Sequence, residues 1–198
     1  EWQREDGAAL RSGRCLIDAN WGHSTDVVYQ FCRQSAHSAL LLPSHGRFLG
    51  ASSLPFSEYK RKQGDQVGHN WRIPNVRGKR AVRHVLYDTN YWKSFVHARL
   101  AVAMGGRGCL SLFGDNPDQH RLFAEHLTAE YRVTTAGRGR TVDEWKHRAD
   151  KFDNHWLDGL VGCAVAASIQ GAVLFGTGAK PAERRQRIKL SELKRHKK

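Results

Sequence analysis

The chain has 198 residues, of which 40% are hydrophobic and six are tryptophan, so it can bury the core of one ordinary domain. Lys and Arg number 32 against 19 Asp and Glu, and the resulting formal charge of +13 predicts attraction to a polyanion, nucleic acid before membrane. No apolar run reaches membrane-spanning length and no signal-peptide pattern is present, so neither a membrane span nor a secretory leader is expected.

The first predicted elements form a βαβ unit. Arg14–Asp18 has the pattern of a short buried strand, a helix follows over residues 24–34 with Ser24 as its N-cap, and Ala39–Leu42 is a second strand that Pro43 ends. Such a unit implies parallel strands with a right-handed crossover. Ligand sites in these sheets lie where strands end, which is the position of the acid that closes the first strand.

Residues 44–68 lack a clear period and predict an exposed loop. The later elements follow from alternation, helical spacing and turn residues. They are strands over Gly68–Ile73 and Val82–Tyr87, joined through 75–79; a helix capped by Thr89 or Asn90 that runs to about Met104; a strand over Leu110–Phe113; a helix over Pro117–Leu127; and a hairpin of Tyr131–Thr135 with Thr141–Trp145.

The stretch Asp153–Ser168 predicts a helix whose small residues allow close packing against a sheet. Within its apolar run lies Asp158, which needs a cation, a proton or hydrogen-bond donors if it is buried. The alternative is an ordinary first-turn acid favoured by the helix dipole. Asp18 closes a strand far upstream, and an acid at a strand end with another on a late helix is a common geometry for holding a divalent metal.

Four cysteines lack any paired CxxC spacing, and three of them lie in apolar runs, which predicts buried, reduced thiols in a cytosolic protein. None of the eleven histidines has the ligand spacing of a zinc site. No P-loop and no GxSxG motif is present, so neither ATP hydrolysis nor acyl transfer is predicted. Metal-dependent phosphodiester cleavage remains, with four acids near strand or helix ends as candidates: Asp18, Asp88, Asp153 and Asp158.

Four stretches resemble, in order and approximate spacing, the C-terminal nuclease domain of the GpA-type large subunit of tailed-phage terminases. They are LIDANWGHSTDVVYQFCRQ, LYDTNYWKSFVHARL, LTAEYRV and DNHWLDGLVGCAVAA, and the resemblance covers about residues 14–170. In the last stretch Asp153, Asn154 and His155 stand where the family tends to have Arg-Asn-Glu.

The resemblance implies an α/β fold with an RNase H-like mixed sheet flanked by helices, which cuts concatemeric double-stranded viral DNA. The catalytic acids, on the first strand, the fourth strand and the final helix, would hold Mg²⁺ or Mn²⁺. Asp18 resembles the fourth-strand acid and Asp158 the final-helix acid. The first-strand acid has no counterpart, so we expect the chain to begin after the first strands. The Arg14–Asp18 strand is then either an open sheet edge or paired by something else.

Two further residues in these stretches have open roles. Asp88 is either a third catalytic acid or a helix-start acid. Lys93 either contacts a DNA phosphate or pairs with Asp88. Trp21, His23 and His155 are neighbours of the acids in sequence, so they either contact substrate or pack.

More than half of the positive excess lies in residues 180–198, where nine Lys or Arg stand against two Glu. This tail is either a DNA-phosphate-binding arm, with Arg184, Arg185 and Arg187 as its candidates, or a solubilising extension. The predicted organisation has three parts: a lead-in (1–13), a partial nuclease domain (14–175) and a basic tail (176–198).

The resemblance also implies partners and a location. The partners are double-stranded DNA, an ATPase domain upstream in the same polypeptide, the small terminase subunit and the portal, in the cytoplasm of a bacterial host. Two other functions stay open, a non-catalytic DNA-binding fragment and another RNase H-like enzyme of the transposase or resolvase type.

Overall fold

The computed structural model describes residues 2–3, 6–76, 82–151 and 153–176. The candidates Arg184, Arg185 and Arg187 of the basic tail lie outside the described residues, so phosphate binding by the tail stays a prediction. Within the lead-in, strands β1 (Trp2–Gln3) and β2 (Ala9–Leu10) form a short antiparallel pair.

A five-stranded mixed sheet organises the domain. Its strands are β3 (Cys15–Asp18), β4 (Leu41–Arg47), β5 (Gln66–Gly68), β6 (Trp71–Ile73) and β7 (Val85–Asp88), in the spatial order β3-β4-β7-β6-β5. The β3, β4 and β7 strands run parallel, whereas β6 is antiparallel to both β7 and β5. Helix α1 (Thr25–Gln34) connects β3 to β4, which confirms the predicted βαβ unit.

One edge of the sheet is open. In the part of the chain that the structure describes, β3 pairs with β4 alone, and no strand pairs with its other edge. This confirms the first of the alternatives predicted for the Arg14–Asp18 strand. Asp18 therefore lies at the carboxyl end of an edge strand, where the backbone beside it is accessible to a further strand.

The predicted end of the second strand at Pro43 is wrong, because β4 continues through this proline to Arg47. The carbonyl groups of Leu40 and Ser44 accept hydrogen bonds from the backbone N–H groups of Cys15 and Ala19 on the β3 side. The backbone of Pro43, at an odd position between them, therefore faces the other side, toward β7. Pairing of β4 with β7 begins only at Ser44. The missing N–H of the proline therefore removes no ladder bond.

Two other predicted features also change, and a third lies partly outside the described residues. Gly68–Ile73 is not one strand, because His69 and Asn70 form a turn between β5 and β6, with Asn70 in the left-handed region at φ 51°. The link between β6 and β7 includes residues 77–81, which lie outside the described residues. Ser24 makes no side-chain cap, since a 3-10 turn over Gly22–Ser24 leads directly into α1.

Helices α2 (Thr89–Leu100), α3 (Arg121–Leu127) and α4 (His155–Ile169) pack together, and α4 also contacts β3. The α2 helix ends before the predicted Met104, while a 3-10 turn over Pro117–His120 precedes α3. The core between these helices and the sheet is formed by fully buried side chains: Val85, Trp92, Val96, Leu157, Val161 and Val165.

The sheet has helices on both faces. On β4, Ser44 and Gly46 face the α4 side, whereas the His45 ring between them bonds to Tyr29 of α1. Alternate residues of a strand point to opposite faces, so α1 and α4 cover opposite sides. This mixed α/β architecture is consistent with the RNase H-like fold that the resemblance implied.

The long hairpin of β8 (Glu130–Gly137) and β9 (Arg140–His147) confirms the predicted hairpin and extends it. Its turn places Arg138 and Gly139 at φ 51° and 72°, as a tight two-residue turn requires. The predicted strand over Leu110–Phe113 is absent. This segment lies outside the sheet, and the side chains of Leu112 and Phe113 are exposed instead of packing in the core.

Asp88 provides the N-cap of α2, a place the prediction gave to Thr89 or Asn90. Its Oδ1 accepts bonds from the backbone N–H groups of Asn90 (3.0 Å) and Tyr91 (3.2 Å). Burial raises the pKa of Asp88 to about 6 despite these two donors. The carboxyl group is therefore explained by a cap, and its catalytic role stays a prediction.

Asp88→Asn tests this cap. Because folding raises the pKa of Asp88 above its ordinary value of 3.8, the protonated acid is favoured in the folded chain. The stabilisation is present below pH 4 and is lost as the pH rises through 6, by up to about 3 kcal/mol. Asparagine caps equally well without titrating. We expect the variant to be more stable than wild type at pH 8 and similar at pH 4.5, as measured by urea unfolding.

The prediction would be contradicted if the difference in unfolding free energy between Asp88→Asn and wild type did not grow from pH 4.5 to pH 8. The same variant also separates the two roles that the sequence left open. A purely capping Asp88 predicts unchanged DNA cleavage, while a metal-binding Asp88 predicts its loss.

Candidate active site

A cleft of about 900 Å³ lies between α4 and the β3 side of the sheet, beside the open edge. Asp18 lines it from the end of β3, and Asp158 lines it from the first turn of α4. Asp88 is not among the residues that line the cleft. The structure thus brings together the two acids that the sequence paired, although they are far apart along the chain.

The turn after Asp18 is fixed by residues of β4 and α1. Asp18 Oδ1 accepts a bond from the backbone N–H of Asn20 (3.1 Å), and the Asn20 side-chain amide donates to the Gly46 carbonyl (3.0 Å). The Asn20 oxygen is then an acceptor, so the Nδ1 of His45 at 2.9 Å carries its hydrogen. The Nε2 of His45 is left to accept from the Tyr29 hydroxyl at 2.9 Å. Burial lowers the pKa of His45, in agreement with a neutral ring.

The second acid contacts a buried ion pair. Lys93 Nζ lies 2.5 Å from Glu130 Oε1 and 3.1 Å from Asp158 Oδ1. The Asn154 amide donates to the same Glu130 oxygen at 2.6 Å. Lys93 and Glu130 are only 8% and 6% exposed, whereas the Asp158 side chain is 49% exposed. Three elements, α2, β8 and α4, therefore meet at one charged cluster on the wall of the cleft.

This cluster corrects one sequence-based alternative, because Lys93 pairs with Glu130 and Asp158 rather than with Asp88. Its predicted contact with DNA stays a prediction. Glu130 was missed by the sequence reasoning. The available signal was its place as the one acid in LTAEYRV, a stretch of the resemblance that contained no other candidate for chemistry.

The hydroxyl group of Tyr87 lies near both Asp158 and Asp18 in the cleft. Its buried ring lines the cleft, and its pKa is raised first by burial, then by Asp158 and then by Asp18. A hydroxyl is affected in this way only by charges that are near it. The two carboxylates thus add their negative potential at one point in the cleft.

The small residues of α4 lie partly against the sheet and partly on the cleft. Ala166 is buried and α4 contacts β3, as predicted. Gly159 and Gly162, in contrast, line the cleft and have open space where a Cβ would be. These two glycines therefore keep the cleft wide.

The predicted burial of the thiols is correct for some cysteines only. Cys15, Cys32, Cys109 and Cys163 are all free, as expected. Cys32 is buried, but Cys15 and Cys163 are exposed and line the cleft. They are exposed because β3 is an edge strand and the small face of α4 is open.

The other neighbours of the acids divide into two groups. Trp21 and His155 line the cleft, and Trp21 is 73% exposed at its rim. His23 is not among the lining residues. Asp153 lies 3.3 Å from the His155 ring, and both side chains are exposed.

The cleft has few side chains that could bind a metal ion. Among the described residues, no three His, Cys, Asp or Glu side chains lie close enough together to hold a metal ion. The cleft offers two carboxylates instead, and oxygen ligands of this kind suit Mg²⁺ and Mn²⁺.

No helix of the described chain is both long and apolar enough to span a membrane.

The fold is a mixed α/β fold consistent with that of RNase H-like nucleases, and two acids line its cleft. A family model described as terminase large subunit gpA, endonuclease domain, matches residues 1–174, and the chain belongs to this family. No curated protein and no solved structure matches it. Membership supports a terminase endonuclease role, with DNA as substrate within a packaging complex.

Proposed function

We propose that this chain supplies part of a metal-dependent endonuclease that cuts concatemeric double-stranded DNA during genome packaging. The convergence of Asp18 and Asp158 on one cleft, in a member of this family, is the observation that carries the proposal. Both carboxylates would hold Mg²⁺ or Mn²⁺. The bound ion would supply charge stabilisation at the scissile phosphate and activate a water for attack.

Each part of the cleft has a task in this proposal. The Asn20 and His45 bonds keep Asp18 at the end of its strand, and the first turn of α4 presents Asp158. A third acid is implied by the resemblance, and the open edge of β3 is where a strand that carries it would pair. The two acids of this chain are then part of a larger ligand set.

The partners follow from the same proposal. A formal charge of +13 favours association with the DNA phosphate backbone. By family resemblance, the remaining partners are the ATPase domain upstream in the polypeptide, the small terminase subunit and the portal. The site of action would be the cytoplasm of the bacterial host.

A plasmid-nicking assay of the whole chain tests the function. We expect slow formation of relaxed and linear products with Mn²⁺ or Mg²⁺ and none with a chelator, because the two acids of this chain hold the metal without the third. DNA binding without metal-dependent cleavage would favour a non-catalytic DNA-binding fragment. Joined products would indicate a transposase, and cleavage restricted to branched DNA would indicate a resolvase.

Trp21 offers a test of the substrate side. An exposed aromatic ring at the rim of the cleft can stack on an unpaired base, which is worth about 1–3 kcal/mol per base. We expect Trp21→Ala to weaken binding of a DNA duplex that carries unpaired bases at one end by about fivefold or more. The melting temperature should stay unchanged because the ring is exposed.

Phe113→Ala is the matched control for Trp21, since Phe113 is 77% exposed and does not line the cleft. Fluorescence anisotropy with a labelled duplex of this kind measures both variants. Equal affinities for the two variants and wild type would exclude Trp21 from the DNA contact.

A further inference from the structure

The charged cluster beside Asp158 contains a lysine that would oppose metal binding if it stood alone. Lys93 Nζ touches Asp158 Oδ1 at 3.1 Å, on the side chain that the proposed function assigns to the metal. A cation at this distance competes with a divalent ion for the same carboxylate. Because Lys93 is buried, water screens this competition poorly.

Glu130 changes that balance. Its Oε1 lies closer to Lys93 than Asp158 does, at 2.5 Å, and it is buried with the lysine. The Asn154 amide, one turn before Asp158 on the same segment, holds the same Glu130 oxygen. The lysine is therefore neutralised by a partner that lies away from the open part of the cleft.

The charges around Asp158 can be summed. Asp18, Asp158 and Glu130 each carry one negative charge and Lys93 one positive charge, so these four groups have a net charge of −2. Arg14, which also lines the cleft and donates to the Ala39 carbonyl, is the same in every variant below. Without the charge of Glu130 the net charge is −1, and Asp158 is the only remaining ion-pair partner of Lys93 in this cluster. A divalent cation is matched by the first state and not by the second.

We propose that Glu130 is a positioning residue for the metal. It acts through Lys93, by neutralising the ammonium so that Asp158 keeps its negative charge for a divalent ion. In this arrangement Lys93 orients Asp158, and Glu130 offsets the positive charge of Lys93. The inference rests on the proposed function, since it concerns the same two acids.

Mn²⁺ binding to the whole chain, measured by electron paramagnetic resonance of the free ion, tests the inference without any cleavage. Glu130→Gln keeps the shape, and its amide oxygen can still accept the bonds from Lys93 and Asn154, but the charge is removed. We expect it to weaken Mn²⁺ binding by about tenfold. Adding Lys93→Met in the same chain restores the net charge of −2, so the double variant should bind within about threefold of wild type.

Lys93→Met alone provides the second test, should Glu130→Gln fail to fold. An unpaired buried glutamate takes up a proton, which again leaves −2 in the cleft. We expect Mn²⁺ to bind this variant at least as tightly as wild type. Removing the charge of Glu130 would then weaken Mn²⁺ binding, while removing that of Lys93 would not, which a purely structural role for the pair does not produce.

The outcomes separate the two proposals. Glu130→Gln with wild-type affinity, or Lys93→Met with weaker affinity, overturns the role of Glu130 and leaves the proposed function intact. Mn²⁺ binding that is absent in wild type, or unchanged by Asp18→Asn with Asp158→Asn, overturns both. Circular dichroism of each variant confirms that folded proteins are compared.

Discussion

Replacing both cleft acids, Asp18→Asn together with Asp158→Asn, is expected to reduce metal-dependent DNA cleavage by about a thousandfold or more. A metal ion contributes several kcal/mol of charge stabilisation to phosphoryl transfer, and each 1.36 kcal/mol is about tenfold in rate. Asparagine keeps the size of each side chain but removes the charges that hold the ion. Plasmid nicking in Mn²⁺, followed over time, measures the loss.

The control must carry the same change in net charge, because a more positive chain also binds DNA more tightly. Asp115→Asn with Asp118→Asn meets this requirement, since both are exposed acids that do not line the cleft. This control should cleave like wild type. Equal cleavage by the cleft variant and its control would remove Asp18 and Asp158 from the reaction.

Leu157→Ala is expected to destabilise the fold by about 2–5 kcal/mol, because it leaves a cavity in a closely packed core. Leu157 has no exposed surface and packs between the α helices and the sheet. It also precedes Asp158 in the first turn of α4, so the same contact fixes the base of the cleft. Urea unfolding of the two proteins measures the difference.

Leu122→Ala is the matched control, with the same change of side chain at an exposed position on α3. Its effect should stay within about 0.5 kcal/mol. If both leucine variants lose similar stability, α4 is not the central core element that the packing indicates.

Local patterns determined much of the architecture. The βαβ unit, the late hairpin and the final helix were predictable because alternation, helical spacing and turn residues act within short windows. The four stretches of family resemblance were also visible in sequence, and the match over residues 1–174 confirms the family. Asp18 and Asp158 could be singled out because each is an acid at the end or start of an apolar element.

The tertiary structure alone decided which side chains meet. Pro43 can stay in β4 only because the neighbouring strand β7 pairs with β4 from Ser44 onwards, one residue after the proline. Gly159 and Gly162 of α4, predicted to pack on the sheet, line a cleft instead, although α4 itself contacts β3. Glu130 and Lys93 are 37 positions apart, and their ion pair exists because the hairpin of β8 and β9 packs on α2 through β9. Short-range patterns contain no information on such partners, since burial and charge pairing depend on contacts between distant segments.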